Sequence, residues 1–208
     1  MAPPILASDL EGVLLPEIWI EVAKRTGIES LRLTTRDIDN YDELMQMRQT
    51  TLKANGIGIS LLQEVIAEMD ALPGALEFLN AARSLLPVVV ITDSYYELLQ
   101  PLLPKLGFVT IFAHNLIIDE DGNLAGYKFR LENGKGRALA AFRELGFRTM
   151  AVGDSYNDIP MLTLADSATL FCPPEKVIND YPDLPITRDY AGLLARIQEF
   201  CAVEAVTT

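Results

Sequence analysis

Acidic side chains follow three short apolar runs of the sequence, at the points where those runs end. They are Asp9 and Glu11 after the first run, Asp93 after the second, and Asp154 and Asp158 after the third. The carboxyl ends of parallel strands meet at one edge of a sheet, where ligands bind. Carboxylates gathered there repel one another unless a hard divalent cation lies between them, and Mg2+ prefers such oxygen ligands. The pattern predicts a magnesium site, although solvated loop acids are the plain alternative for Asp9 and Glu11.

Two of these segments also fit the starts of helices. Ser94 with Glu97, and Ser155 with Asp158, have the spacing of a capping box, and capping is expected at both. A capped helix start still presents N–H groups and a positive dipole end to an anion. Lys135, at the start of another predicted helix, would supply a fixed positive charge, but a surface position is the commoner fate of a lysine.

The elements that must position these residues alternate between apolar strands and helical patterns, which is typical of an open sheet with helices on both faces. The predicted strands are residues 5–8, 88–92, 110–113, 149–152 and 168–172, and the predicted helices 73–86, 95–106, 135–145 and 156–164. Residues 116–129 alternate about Asp121-Gly122, which predicts a β-hairpin. The fold class is therefore α/β, with a doubly wound, mostly parallel sheet.

Residues 15–71 separate the first strand from the next apolar run, which is far longer than an ordinary crossover connection. Pro16 stands where a first helical turn would begin, and apolar faces predict three helices at 18–23, 42–53 and 60–69. Residues 15–71, called the predicted cap below, would form a small helical cap. Residues 1–14 and 72–208 would form the α/β core.

Composition narrows the classes of partner. A chain of 208 residues, of which 50% are hydrophobic, fits one compact domain with an insertion. Its net charge of −12 repels nucleic acids and anionic membranes, so neither is expected to bind. Cys172 and Cys201 do not have the spacing of a disulfide framework or a zinc site. Without a secretory signal or a span-length apolar run, we expect a soluble, cytoplasmic protein.

The ordered motifs resemble those of the haloacid-dehalogenase-like superfamily of phosphotransferases. They are Asp9 to Val13, then Thr92, then Lys135, and finally Gly153-Asp154 with Asp158. A helical cap directly after the first motif is similar to the phosphoserine phosphatase group of that superfamily. The residues around Asp9 and Trp19, and those from Gly153 to Asp158, are similar to its bifunctional branch, which also transfers the phosphoryl group to homoserine.

This resemblance implies roles for residues at matching positions. Asp9 would be the nucleophile that forms an aspartyl-phosphate, and Glu11 the general acid and base. Mg2+ would be bound by Asp9, Asp154 and the backbone carbonyl of Glu11, with Asp158 orienting Lys135 or a metal-bound water.

The resemblance also implies how the substrate is held. Thr92, Lys135 and the N–H groups near Asp93 would bind the phosphoryl oxygens, and Asn157 would add a contact to phosphate or substrate. Glu17 and Arg48 would clamp the ammonium and carboxylate of phosphoserine, although Arg48 could instead be an arginine on a helix surface.

Two positions depart from the usual phosphoserine phosphatase pattern. Glu11 stands where those enzymes usually carry Asp, and Thr92-Asp93-Ser94 stands where they have Ser-Gly-Gly. The extra carboxylate of Asp93 is unfavourable beside a phosphate unless it faces an ammonium, so Asp93 is a candidate for binding the acceptor.

Several interpretations remain open at this point. The same chemistry could act on another small phosphate ester, and a receiver-type signalling domain also combines an acidic magnesium pocket with a lysine. The sequence does not choose between water and homoserine as acceptor, or between a monomer and a homodimer. His114 is interpreted as a structural or surface histidine, and Trp19 and the Tyr95-Tyr96 pair as aromatics that pack in the core or the cap.

Overall fold

A seven-stranded sheet forms the centre of the structure, a computed structural model that describes residues 2–34, 37–38 and 40–202. Its strands are β1 (Pro4–Ser8), β2 (Val88–Tyr95), β3 (Thr110–Ile118), β4 (Leu124–Lys128), β5 (Arg148–Gly153), β6 (Ser167–Phe171) and β7 (Ile186–Thr187). They lie in the order β4-β3-β2-β1-β5-β6-β7, and only the β3–β4 pair is antiparallel. The predicted α/β fold with a mostly parallel sheet is confirmed.

The helices of the described residues lie between these strands and after β7. They are α1 (Ile18–Thr26), α2 (Tyr41–Ala54), α3 (Ile59–Ala67), α4 (Ala75–Arg83), α5 (Tyr96–Leu99), α6 (Gly134–Glu144), α7 (Ile159–Leu162), α8 (Glu175–Asp180) and α9 (Tyr190–Ala202). Short 3-10 turns cover Glu29–Arg32, Gln100–Leu102, Pro104–Leu106 and Tyr156–Asp158. No helix in the ranges described has both the length and the apolar character needed to cross a membrane.

The predicted helix over residues 95–106 is wrong in its extent. Tyr95 ends β2, and the α-helical part stops at Leu99. Pro101 and Pro104 lack the N–H group that an α-helix needs, so the chain continues as two 3-10 turns. Helices α8 and α9 and the two-residue strand β7 were not among the predicted elements.

Successive side chains of a strand point to opposite faces of the sheet, so both faces of this sheet carry apolar side chains. A layer of helices covers each face. Leu6 of β1 belongs to a buried cluster with Leu79 of α4 and Ile197 of α9. Ile5 and Ala7 belong to a second cluster, which contains residues of α6, α7 and α8. This is the doubly wound arrangement that the sequence predicts.

Helices α1, α2 and α3 all arise between β1 and β2, as expected for the predicted cap. Their apolar faces, represented by Val22, Met45 and Leu62, join the same buried cluster as Leu6. The predicted hairpin is confirmed as β3 and β4, and its turn reaches these helices, since Ile59 N donates to the carbonyl of Gly122 at 2.8 Å. Helices α1, α2 and α3 therefore belong to the same core as the sheet, and α3 also contacts the hairpin.

Candidate active site

A cleft of about 1120 Å3 opens where β1, β2 and β5 end, beneath the starts of α1 and α2. Every predicted site residue except Asp158 lines it: Asp9, Glu11, Glu17, Arg48, Thr92, Asp93, Lys135, Asp154 and Asn157. The parallel strands bring these residues together from distant parts of the sequence, as expected for the carboxyl edge of such a sheet.

Lys135 lies at the floor of the cleft between two carboxylates. Its Nζ is 2.8 Å from Oδ1 of Asp9 and 2.6 Å from Oδ1 of Asp158, and the side chain is 2% exposed. Burial alone would lower the pKa of Lys135, but the carboxylates of Asp9 and Asp158 raise it above its usual value. The lysine is therefore a buried, permanently charged group and not a surface residue.

Asp9 is held by a hydrogen bond to strand β5 and by another within its own loop. Its backbone N–H donates to the carbonyl of Val152 on β5 at 2.8 Å, and its own Oδ1 accepts from Leu10 N at 2.7 Å. Within the described part of the chain, the hydrogen bonds to this carboxylate reach Oδ1, which leaves Oδ2 for a ligand. Burial, and then repulsion by Asp158, raise the pKa of Asp9 well above the usual value of a carboxyl group.

Asp158 does not line the cleft, but it contacts Lys135, which does. Its Oδ2 accepts hydrogen bonds from the backbone N–H groups of Asp154 at 2.9 Å and Ser155 at 3.1 Å, so the predicted capping box at Ser155 is present. A Cβ atom at Gly153 would lie 2.2 Å from Cγ of Asp158, so only glycine lets the carboxylate approach this closely. Both oxygens of Asp158 thus have partners inside the protein.

Asp9, Asp154 and Asp158 form an acidic cluster, in which one carboxylate oxygen of each residue lies within 4.8 Å of the others. Burial, and then repulsion by Asp158 and Glu17, raise the pKa of Asp154 to about 6. A Cβ atom at Gly12, where φ is +80°, would lie 2.5 Å from Cγ of Asp154, so glycine is required here as well. Closely spaced hard oxygen donors of this kind fit a divalent cation such as Mg2+.

Glu11 lies in the loop after β1, at the entrance to α1. Its Oε2 accepts from Ile18 N at 2.8 Å, and the Ser94 hydroxyl also donates to this carboxylate. Burial, and then repulsion by Glu17, raise the pKa of Glu11 to about 7. A group with this pKa can both give and take a proton near neutral pH.

The segment Thr92-Asp93-Ser94 lies in an irregular part of β2, where the pairing register with β3 shifts between Ile91 and Tyr95. Oγ1 of Thr92 accepts from Ser94 N at 3.1 Å. The capping box predicted for Ser94 and Glu97 is wrong, because Ser94 belongs to the strand and the Glu97 carboxylate accepts from Leu116 N at 2.7 Å. Such irregularities re-aim side chains next to functional sites.

Asp93 extends from this irregular segment into the cleft. Its Oδ2 accepts from Nδ2 of Asn157 at 2.8 Å and lies 3.9 Å from Nζ of Lys135. His114 Nε2 is 3.5 Å from Oδ1, so the histidine lines the cleft and is buried, and its interpretation as a surface residue is wrong. Burial raises the pKa of Asp93, but the hydrogen bond from His114 and the charge of Lys135 lower it below its usual value overall.

Arg48 is 5% exposed and faces the cleft, so it is not an arginine on a helix surface. Its guanidinium carbon lies 4.4 Å from the ring centre of Trp19, and Nη2 donates to the carbonyl of Leu33 at 3.1 Å. Nε is buried and has no hydrogen-bond partner in the residues that the structure describes. Burial lowers the pKa of Arg48, and Glu17, at the start of α1, lines the same cleft.

Two tyrosines of the cleft were not among the predicted site residues. The hydroxyl groups of Tyr41, at the start of α2, and Tyr95, at the end of β2, hydrogen-bond to each other. Tyr41 precedes Arg48 by two helical turns and so shares its face of α2, a spacing that could have identified it. Tyr95 directly follows the Thr92-Asp93-Ser94 segment, but a strand-end tyrosine alone does not indicate a site.

Comparison with known proteins agrees with this arrangement. The chain matches the haloacid dehalogenase-like hydrolase family over residues 16–163. It is 44% identical over 189 residues to phosphoserine phosphatase ThrH of Pseudomonas aeruginosa, with 91% of this chain and 92% of that protein covered. A phosphoserine phosphatase of Pseudomonas syringae is also 44% identical, over 192 residues, with 92% and 81% covered.

A solved structure has the same fold. A phosphoserine phosphatase crystallised in its apo form superposes with a TM-score of 0.74 at 24% identity, over 93% of this chain and 98% of that one. The family match covers most of the sequence, and its limits include the residues of α2, β2 and α6 that line the cleft, and those that follow β5. The chain therefore belongs to the haloacid dehalogenase-like hydrolase family.

Proposed function

We propose that this chain is a magnesium-dependent phosphoserine phosphatase that forms an aspartyl-phosphate on Asp9 and also transfers the phosphoryl group to homoserine. The observation that carries the proposal is the buried contact of Lys135 with Asp9, beside Asp154 in the acidic cluster. It combines a carboxylate nucleophile, a fixed cation and oxygen ligands for a divalent ion at one point. The names of the two Pseudomonas relatives support phosphoserine as the substrate.

Magnesium would be held by the carboxylates of Asp9 and Asp154 and by the backbone carbonyl of Glu11. Asp158 fits a supporting role, because its oxygens already accept hydrogen bonds from Lys135 and from two backbone N–H groups. When bound, the ion offsets the repulsion among the carboxylates and polarises the phosphoryl oxygens.

In the first half-reaction Asp9 attacks phosphorus in line. A bond forms between its carboxylate oxygen and phosphorus while the bond from phosphorus to the serine oxygen breaks. Glu11 gives its proton to the departing serine oxygen, for which a pKa of about 7 is suitable. Lys135 and Thr92, with the N–H groups near Asp93, stabilise the charge on the other phosphoryl oxygens.

The second half-reaction regenerates the carboxylate. Glu11, now ionised, removes the proton from a water molecule or from the hydroxyl of homoserine. That oxygen bonds to phosphorus, and the bond between phosphorus and Asp9 breaks. The product is inorganic phosphate or phosphohomoserine, and Asp93 is the proposed contact for the acceptor's ammonium group.

Substrate selection is assigned to the predicted cap, residues 15–71, which supplies Glu17 and Arg48 to the catalytic core of residues 1–14 and 72–208. Arg48 would bind the substrate carboxylate and Glu17 its ammonium. The Arg48 guanidinium already stacks on the Trp19 ring and donates a hydrogen bond to the Leu33 carbonyl. The side chain therefore loses little further freedom when a carboxylate binds. A buried, pre-ordered arginine is well suited to bidentate binding.

Arg48→Ala tests this assignment by comparing phosphoserine with phosphoethanolamine, which lacks the carboxylate. We expect kcat/KM for phosphoserine to fall by about 100-fold, because a hydrogen-bonded charge contact is removed. The value for phosphoethanolamine should fall by no more than about threefold, since that substrate never makes the contact. Both values come from steady-state phosphate release with magnesium present.

Arg32→Ala is the matched control, because this arginine is exposed and pairs with Glu29 at 3.1 Å on a short turn of the predicted cap. It should leave both substrates unaffected. Equal losses on the two substrates in Arg48→Ala would refute the carboxylate contact. A wild-type enzyme that does not prefer phosphoserine to phosphoethanolamine would contradict the proposed substrate.

A further inference from the structure

The Asp93 carboxylate is held by two side chains that the proposed chemistry does not use in this way. His114 of β3 places Nε2 3.5 Å from Oδ1, and Asn157 donates from Nδ2 to Oδ2 at 2.8 Å. Each carboxylate oxygen therefore faces a nitrogen of its own, and the two contacts limit rotation of the group. The amide of Asn157 is oriented in turn, because Oγ of Ser155 donates to its Oδ1 at 2.6 Å.

The proton on His114 is directed towards Asp93 by a second contact. The backbone N–H of Arg130 donates to Nδ1 of the imidazole at 3.0 Å. Because Nδ1 accepts this hydrogen bond, it carries no proton, and the N–H group of the ring is therefore at Nε2. The ring is 5% exposed and packs edge-on against Phe129 with 4.9 Å between centres, which prevents it from turning away.

We propose that His114 is a positioning residue that directs the Asp93 carboxylate towards the ammonium group of the alcohol that accepts the phosphoryl group. This inference rests on the proposed function, since it requires a second alcohol as acceptor. A carboxylate offers about four acceptor positions, of which His114 and Asn157 occupy two. The Asp93 side chain is 44% exposed in the cleft, so the other positions can receive an ammonium.

Holding the Asp93 carboxylate in place also limits its repulsion with the phosphoryl group. An unrestrained Asp93 could approach the phosphoryl group, where two negative charges repel each other. Its Oδ2 lies 3.9 Å from the Nζ of Lys135, the proposed phosphoryl ligand, so small rotations matter. Held by His114 and Asn157, the group lies beside the phosphoryl position without turning into it.

Two substitutions of His114 separate its hydrogen bonds. In His114→Asn the amide oxygen can still accept from Arg130 N, but the donor to Asp93 is lost. In His114→Gln the amide nitrogen reaches the position of Nε2 and the donor is kept. The assay compares transfer from phosphoserine to homoserine with transfer to γ-hydroxybutyrate, the same hydroxy acid without its amino group.

The wild type should prefer homoserine, and His114→Asn should reduce that preference by about tenfold through a higher KM for homoserine. His114→Gln should keep the preference within about threefold of wild type. Asp93→Asn should abolish the preference, and adding His114→Asn to it should have no further effect, because the histidine acts through that carboxylate.

The outcomes separate this inference from the proposed function. If His114→Asn keeps the preference while transfer to homoserine continues, the role of His114 is overturned and the proposed function stands. Equal losses with both acceptors indicate a merely structural histidine and also overturn it. If His114→Asn does not fold, a folded His114→Gln that has lost the preference overturns the role. A wild type that forms no phosphohomoserine refutes the transfer reaction, and this role with it.

Discussion

At the scale of single residues, one buried lysine lies among three carboxylates at and beneath the floor of the cleft. Lys135 contacts Asp9 and Asp158 directly, and Asp154 belongs to the same acidic cluster. Burial and mutual repulsion raise the pKa values of Asp9 and Asp154, which means that the folded chain resists their full ionisation. A divalent cation would bring the group close to neutrality, so we expect its binding to be linked to the loss of protons.

Magnesium affinity should therefore weaken as pH falls through about 6. Burial, Asp158 and Glu17 raise the pKa of Asp154 to about 6, and a protonated carboxyl must lose its proton before it binds a metal. We expect the magnesium dissociation constant, measured by titration calorimetry, to be about tenfold higher at pH 5 than at pH 7. Release of protons into the buffer should accompany binding near pH 6.

The magnesium measurement includes one variant that removes a proposed ligand and one control variant. Asp154→Asn should lose most of the magnesium affinity, because it removes a ligand. Asp70→Asn, which alters an acid that is 90% exposed and pairs with Lys105, should keep both the affinity and its pH dependence. A dissociation constant that is the same at pH 5 and pH 7 would exclude Asp154 as a titrating ligand.

At the scale of elements, the β3–β4 hairpin contacts two helices of the predicted cap, α2 and α3. The Tyr127 hydroxyl of β4 hydrogen-bonds to Asp42 of α2, and Gly122 of the turn accepts from Ile59 N of α3. The rings of Tyr41 and Tyr127 pack edge-on, 5.2 Å apart. These contacts fix the start of α2, the helix that carries Arg48 into the cleft.

Tyr127→Phe should loosen this connection while keeping the ring. Loss of one hydroxyl–carboxylate bond at a partly exposed site removes about 0.5–1.5 kcal/mol of stabilisation. We expect the KM for phosphoserine to rise about threefold to tenfold, because Arg48 is held less firmly. Amide hydrogen exchange should become faster in α2 and remain unchanged in β1 and β5.

Tyr181→Phe is the comparison variant, since this tyrosine packs in the cluster on the opposite face of the sheet. It should alter neither KM nor exchange in α2. If Tyr127→Phe leaves both quantities at the wild-type values, the hairpin does not hold the start of α2.

Most of the fold was predictable because buried parallel strands carry a strong signal. The five predicted strands are present, and the Asp121-Gly122 turn marked the hairpin correctly. The main error was the helix predicted over residues 95–106. Apolar periodicity suggested it, but Pro101 and Pro104 interrupt the α-helix there. Strand β7 has two residues, too few to show an alternating pattern, and it is defined only by its pairing with β6.

The site was predictable where a motif fixes the chemistry and less so where side chains from separate elements meet. Asp9, Lys135 and Asp154 converge as expected. The bond from His114 to Asp93 depends on where β3 ends relative to the irregular part of β2, which no local pattern reveals. Glu97 has the spacing of a cap but bonds to the neighbouring strand, because tertiary contacts override a local preference.

At the scale of the whole molecule, the net charge is unfavourable for a phosphorylated substrate, whereas the cleft contains buried cations. The chain carries a net charge of −12, which does not attract a phosphorylated ligand from a distance. Arg48 and Lys135 are cations buried in the cleft wall and floor, where water screens their charge least. Selectivity therefore has to come from short-range contacts, with the predicted cap supplying one cation and the α/β core the other.

The direct test of the account concerns the proposed covalent bond between Asp9 and phosphorus. Asp9→Asn nearly preserves the shape of the side chain but removes the nucleophilic carboxylate. The turnover number for phosphoserine should fall at least about a thousandfold, with mass spectrometry confirming that the asparagine has not deamidated, while Asp70→Asn keeps the wild-type rate. An Asp9→Asn protein that remains intact and hydrolyses phosphoserine at the wild-type rate would contradict the mechanism.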